Sequence, residues 1–119
     1  MRSKKELKEE YQRRKFRMGV YQIRNTANGR IFVGSSSDLD AIWNRYSFQL
    51  DMGSHQNAEL QREWKAFGKA QFVYEVLGEI EQSDDPAVDL QKEVRMLEEM
   101  YLEELQPYGE RGYNRKPKN

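Results

Sequence analysis

Asn28-Gly29, set between Gly19-Val20-Tyr21-Gln22-Ile23-Arg24-Asn25 and Arg30-Ile31-Phe32-Val33-Gly34, is the feature that most restricts this chain. Both turn residues tolerate positive φ, and strand-forming segments joined by such a dipeptide fold back as an antiparallel hairpin. The first segment mixes apolar and polar residues, and the second returns with Ile31, Phe32 and Val33. Whatever else forms must be built around this hairpin.

The segments that follow can cover it. Leu39, Ile42, Trp43, Tyr46 and Leu50 recur at helical spacing, with Ser37 as the expected cap and Asp40 at the capping-box position. Gly53-Ser54-His55 marks a turn, and Asn57 caps a second helix that places Leu60, Trp64 and Phe67 on one face before Gly68 ends it. Residues 71–80, rich in Phe, Val and Tyr, read as a third strand. Asp85-Pro86 pairs a cap with a first-position proline, opening a helix that carries Leu90, Val94, Leu97, Tyr101 and Leu105. Residues 3–15 form a charged segment with helical propensity and little apolar stripe. The expected fold is therefore α+β: a three-stranded antiparallel sheet flanked by helices, with a charged N-terminal helix. Its 119 residues suit one core, divided as an arm over 1–17, a domain over 18–114 and a basic tail over 115–119.

The net charge is zero, but its distribution is uneven. Residues 1–17 hold eight Lys/Arg against three Glu, residues 111–119 hold four Lys/Arg and no acid, and residues 18–110 carry a net −9. Basic ends on an acidic body suit phosphate contact through the termini, or simply keep a protein soluble. The chain has no cysteine, which excludes disulfides, thiolate zinc sites and cysteine nucleophiles. No apolar run approaches the ~20 residues that span a bilayer, and no signal-peptide core opens the chain, so a cytoplasmic protein without membrane contact is expected.

Gly19-Val20-Tyr21 and Phe32-Val33-Gly34 resemble the two signature strands of the GIY-YIG nucleases. Gly34-Ser35-Ser36-Ser37-Asp38-Leu39, Gly53-Ser54-His55, Leu60-Gln61 and Phe67-Gly68 are similar to the segments that link that family's helices. Glu98 in Leu97-Glu98-Glu99-Met100-Tyr101-Leu102 matches its helix glutamate, and Gly112-Tyr113-Asn114 its closing motif. The resemblance covers about residues 18–114. It implies a DNA endonuclease or phosphodiesterase with one divalent ion, Mg²⁺ or Mn²⁺, since a hard cation takes carboxylate and phosphate oxygens.

The resemblance also assigns roles, and each has a plainer alternative. Tyr21 would help activate water, or is an ordinary strand aromatic. Glu98 would hold the metal, or is a surface glutamate like Glu99. Asn114 would close the site from the tail, or only form a turn. Two departures matter. Phe32 stands where the family's second signature tyrosine is expected. Eight residues after Gly34, where phage enzymes of this family carry their arginine, stands Ile42; four further on, Tyr46 replaces a histidine. Ile42 and Tyr46 instead join the apolar stripe of their helix. Arg45 lies on nearly the same face and can lean back over the preceding turn to the Ile42 position. Alternatively it is a solvated arginine paired with Asp38 or Asp51. His55, the only histidine, reads as a packing residue at the start of the second helix. With little sequence beyond the domain, specificity is expected to be low, structural or supplied by a protein partner. The alternative to an active enzyme is a catalytically impaired domain that serves as a nucleic-acid-binding or protein-interaction module.

Overall fold

The computed structural model describes residues 3–4 and 16–117. The helix expected over 3–15 therefore falls, beyond Ser3 and Lys4, outside the described residues. Strand β1 (Gly19–Asn25) lies between β2 (Ile31–Ser36) and β3 (Phe72–Glu79), antiparallel to both. Helices α1 (Leu39–Met52) and α2 (Ala58–Phe67) fall between β2 and β3 in the chain, and α3 (Leu90–Leu105) follows β3. The α+β architecture read from the sequence is the one observed.

Strand register sorts the side chains onto two faces. Tyr21 pairs with Gly34 and Val76, and Ile23 with Phe32 and Tyr74. This face meets Leu39, Ile42 and Leu50 of α1 and Leu60 and Trp64 of α2 in one buried cluster. Leu39, Leu50 and Leu60 are fully buried, each contributing roughly 1.5–3 kcal/mol by leaving water. Trp43 stacks on Tyr74 at 5.0 Å, and the Tyr74 hydroxyl donates to the Leu39 carbonyl, fixing α1 to the edge strand. Val20 and Val33 lie on the other face, where α3 packs. There the register of β3 shifts between Val20 and Tyr21, and the Tyr101 hydroxyl takes up the Leu77 carbonyl at 2.7 Å.

Several local expectations are refined. The hairpin turn is a four-residue loop, 26–29, closed by Asn25 N–H to the Arg30 carbonyl. Only Gly29 has positive φ (78°), because the Asn25 side chain accepts from Ala27 N–H and holds the earlier loop residues in ordinary conformations. Asp38, not Ser37, caps α1 by accepting from Ala41 N–H, since the Ser36 hydroxyl already accepts from Asp38 N–H. Asn57 caps α2 as expected. Asp85-Pro86 forms a separate turn, and α3 begins four residues later behind Asp89. Phe67 is 45% exposed, so α2 buries Leu60 and Trp64 but not its last aromatic.

The tail is held by a buried carboxylate the sequence does not announce. Glu63 on α2 is 3% exposed and accepts from Asn28 (2.7 Å) and Tyr113 (2.9 Å), with Asn25 at 3.4 Å. Its second oxygen forms a short ion pair with Arg30. Arg30 also lies over the Tyr113 ring at 4.5 Å and donates to the Gly112 carbonyl. Residues 112–114 thereby reach the outer edge of β2. There Tyr113 N–H donates to the Ile31 carbonyl, and the Asn114 amide bonds both main-chain groups of Val33 at 2.8 Å.

Burial opposes the Glu63 charge, but the hydrogen bonds of Asn28 and Tyr113 and the Arg30 guanidinium outweigh it. The carboxyl is held below its ordinary 4.5. A depressed carboxyl stabilises the fold above the unfolded-state value and loses that contribution as pH falls through the folded one. Glu63→Ala is expected to cost on the order of 3–5 kcal/mol, as when one partner of a buried ion pair is removed. In Glu63→Gln, urea denaturation followed between pH 3 and 7 should show lower stability at neutral pH and a shallower decline on the acid side.

Candidate active site

Tyr21 is positioned by an absent side chain. Its ring lies over Gly34, its partner on β2, where a Cβ would stand 2.7 Å from Cζ and 2.5 Å from the hydroxyl oxygen. The phenol can therefore cross β2 while staying in the sheet's buried layer, and it is 2% exposed. Burial raises its pKa above the ordinary 10, followed by Tyr46, Tyr74 and the charge of Glu98. At neutral pH it is a protonated phenol. Glu98 sits on α3, on the far side of the sheet, yet its charge registers at this hydroxyl.

Tyr46 connects the remaining groups. Its ring meets Tyr21 edge-on at 6.3 Å, Phe32 at 6.3 Å and His55 at 4.5 Å. The Arg45 guanidinium lies 5.6 Å from the centre of the Tyr46 ring. Arg45 is exposed and makes no ion pair among the described residues. Asp38 is occupied at the α1 cap, and Asp51 bonds Trp64 and Lys69. Arg45 lines one groove with Ile42, Ser36 and Ser37, and another with Tyr46, Gln49 and Gln56. Ile42 itself is 8% exposed and belongs to the core.

Glu98 is half-buried and forms no hydrogen bond or ion pair with any described residue. Among the described residues no three His, Cys, Asp or Glu cluster as a metal site. Asn114 is not a free group: both ends of its amide are engaged by Val33, so it seals the edge of β2 beside Phe32. His55 is 6% exposed, accepts from Asn57 N–H at Nδ1 and has its pKa lowered by burial. It packs at the start of α2, as its position in the sequence suggested. Tyr21 and Arg45 thus both lie against Tyr46, Glu98 is linked to Tyr21 only through its charge, and Asn114 is bonded to Val33 at the edge of β2. Tyr46 is the residue that periodicity alone misassigns. It belongs to the apolar stripe, but it is only half-buried and its edge reaches the groove.

The family model described as the GIY-YIG catalytic domain matches residues 17–114, and the chain belongs to this family. It is 35% identical over 71 residues to "Intron-associated endonuclease 1" of Enterobacteria phage T4, a match spanning 60% of this chain and 29% of that protein. The chain therefore spans less than a third of that relative's length. Among solved structures, the catalytic domain of homing endonuclease I-TevI superposes with a TM-score of 0.69 at 30% identity, covering 84% of this chain and 99% of that domain. A mutant of the same domain gives 0.68 at 29% identity, covering 83% and 93%. No helix among the described residues is long and apolar enough to cross a membrane.

The contact of Tyr21 with Gly34 leads to a specific expectation. Gly34→Ala forces the phenol aside and should cost about 1–3 kcal/mol as overpacking. Adding Tyr21→Phe removes the atom nearest the new methyl and should recover part of that loss in thermal denaturation. Strictly additive losses would show that the two positions do not meet.

Proposed function

We propose that this domain hydrolyses phosphodiester bonds in DNA with one divalent ion, Mg²⁺ or Mn²⁺, held by Glu98. The observation that supports this reading is the contact of the Tyr21 phenol and the unpaired Arg45 guanidinium with Tyr46, with the Glu98 charge acting on Tyr21 from the other side of the sheet. The residues fit such an ion. Mg²⁺ is commonly bound by one or two carboxylates, with waters and substrate phosphates completing its shell, and Glu98 is unengaged. When bound, the ion would act as a Lewis acid and stabilise the leaving oxygen.

The chain supplies the remaining chemistry. Arg45 faces a groove from which it can neutralise charge on the phosphoryl oxygens, the task for which a guanidinium is suited. Water attack at phosphorus forms one P–O bond as the bond to the leaving oxygen breaks, and the proton of the water must be accepted. Tyr21 and Tyr46 are the candidate acceptors as phenolates. Burial disfavours that form at Tyr21, so cationic charge beside it is required. A basic form scarce at neutral pH makes the rate rise with pH. DNA is the first substrate to test, since the relatives are endonucleases, with specificity low, structural or supplied by a protein partner.

A second reading rests on one further observation. Ile42 is part of the core where the resemblance places an arginine, and Phe32 lacks a hydroxyl. If Arg45 does not substitute, the domain binds nucleic acid, or a protein, without cutting.

Incubation with supercoiled plasmid and branched DNA in Mg²⁺ or Mn²⁺ separates the two. Cleavage should vanish with EDTA and with Glu98→Ala, and Arg45→Ala should slow it on the order of 10²–10³-fold. The rate should climb between about pH 7 and 9, because a phenolate that stays scarce still increases in proportion as pH rises. Cutting that survives Glu98→Ala would overturn the metal assignment, whereas salt-sensitive binding without cutting would establish the second reading.

A further inference from the structure

Beyond the convergence at Tyr46, three shallow grooves run into one another. The groove at the start of α1 shares Arg45 with the one beside Tyr46, and that groove shares Gln56 with a third, lined by Phe32, Asn57 and Arg115. They form one continuous furrow with a guanidinium on either side of Gln56. Ion pairs elsewhere occupy Arg17, Arg24, Arg30, Arg62 and Lys69. Arg45 and Arg115 are exposed and make none among the described residues. The only acid lining the furrow, Asp38, is engaged by Ala41 N–H. Against a body with net charge −9 over residues 18–110, a track lined by Arg45 and by Arg115 of the basic tail is a local inversion of sign.

Arg115 is held there by the fold. It directly follows Asn114, whose amide is clamped to Val33, and the Glu63–Arg30–Tyr113 cluster anchors the preceding residues. Its placement beside Phe32 and Gln56 is thus set within one residue of a fixed point. The rest of the lining is neutral hydrogen-bonding groups, Ala41 and Ile42, and the rings of Phe32 and Tyr46. Neutral polar groups and arginines recognise a phosphodiester backbone without reading its sequence.

We propose that the furrow is the track of a nucleic-acid strand, with Arg45 and Arg115 contacting phosphates on either side of Gln56. Arg115 is a binding residue that extends the site away from the reacting centre. This inference rests on the reading of the domain as one that acts on DNA.

Fluorescence anisotropy with a labelled short duplex in EDTA, titrated at several salt concentrations, tests it without requiring cleavage. Arg115→Gln and Arg45→Gln should each weaken binding several-fold and reduce the slope of log K against log[salt] by about 1, and the double variant by about 2. Arg95→Gln, an exposed arginine on α3 outside the furrow, should change neither. Both furrow positions are exposed, so circular dichroism melts should be unchanged. Wild-type binding that Arg115→Gln leaves intact in affinity and slope would overturn the furrow while sparing the DNA reading. No binding by the wild type, to duplex or to single strand, would overturn both. A stronger effect of the variants on single-stranded DNA would support the track and assign it an unpaired strand.

Discussion

The buried carboxylate of Glu63 is the constraint on which the rest of the arrangement depends. Without it the hairpin loop, the first residue of the return strand, α2 and the C-terminal tail share no common partner. Asn25, Asn28 and Arg30 of the hairpin turn and Tyr113 of the tail converge on its two oxygens. A charge removed from water this far is tolerated only because it is paired and hydrogen-bonded on several sides. That condition locks the geometry. Any displacement of the tail strips the Tyr113 donor from Glu63 and the Gly109 and Gly112 carbonyls from Arg30, which already carries a buried Nε without a partner among the described residues.

The consequence reaches the candidate site through β2. The tail closes the outer edge of that strand, with Asn114 standing in for a neighbouring strand's main chain at Val33. An open edge is a template for unwanted pairing, and covering it also stiffens the strand. Gly34 lies one residue beyond Val33, and the Tyr21 ring rests on Gly34. The position of the phenol is therefore set by a chain of contacts that begins at Glu63 and passes through Tyr113, Asn114 and β2. Asn114, assigned by resemblance to the closing of the site, can act in this indirect way: its amide positions the strand beneath Tyr21.

Much of this was legible before any coordinates. The hairpin, the α1 stripe, the Asn57 cap and the third strand are local signals, carried by periodicity and by residues with distinctive backbone preferences. What was hidden is tertiary. Glu63 looks like one more charge on a polar helix, because nothing local distinguishes a glutamate that the hairpin turn and the tail will surround. The true start of α3 at Asp89 was masked by Asp85-Pro86, a dipeptide that serves a turn as well as a helix. The site residues divide in the same way. Tyr21 and Glu98 are visible only through the family pattern. Tyr46 was hidden because a tyrosine on an apolar stripe gives no sign of whether its hydroxyl faces core or groove.

The substitution of Ile42 then takes on a specific meaning. An arginine at this position would have to emerge from the core cluster into the groove, past Ser36 and Ser37. Isoleucine fills the core and leaves the groove without charge at that point. Arg45, one turn on, restores a guanidinium to the same groove without burying any of it, and Tyr46 beside it keeps the ring contact that orients the charge. The trade gains packing under α1 and loses preorganisation, since an exposed arginine resting on an aromatic ring is held less firmly than one emerging from a core. Electrostatic catalysis depends on donors fixed before charge develops. On the proposed reading, phosphate binding through Arg45 and Arg115 would survive this trade, while the hydrolytic rate would depend on how far a bound strand itself orders Arg45.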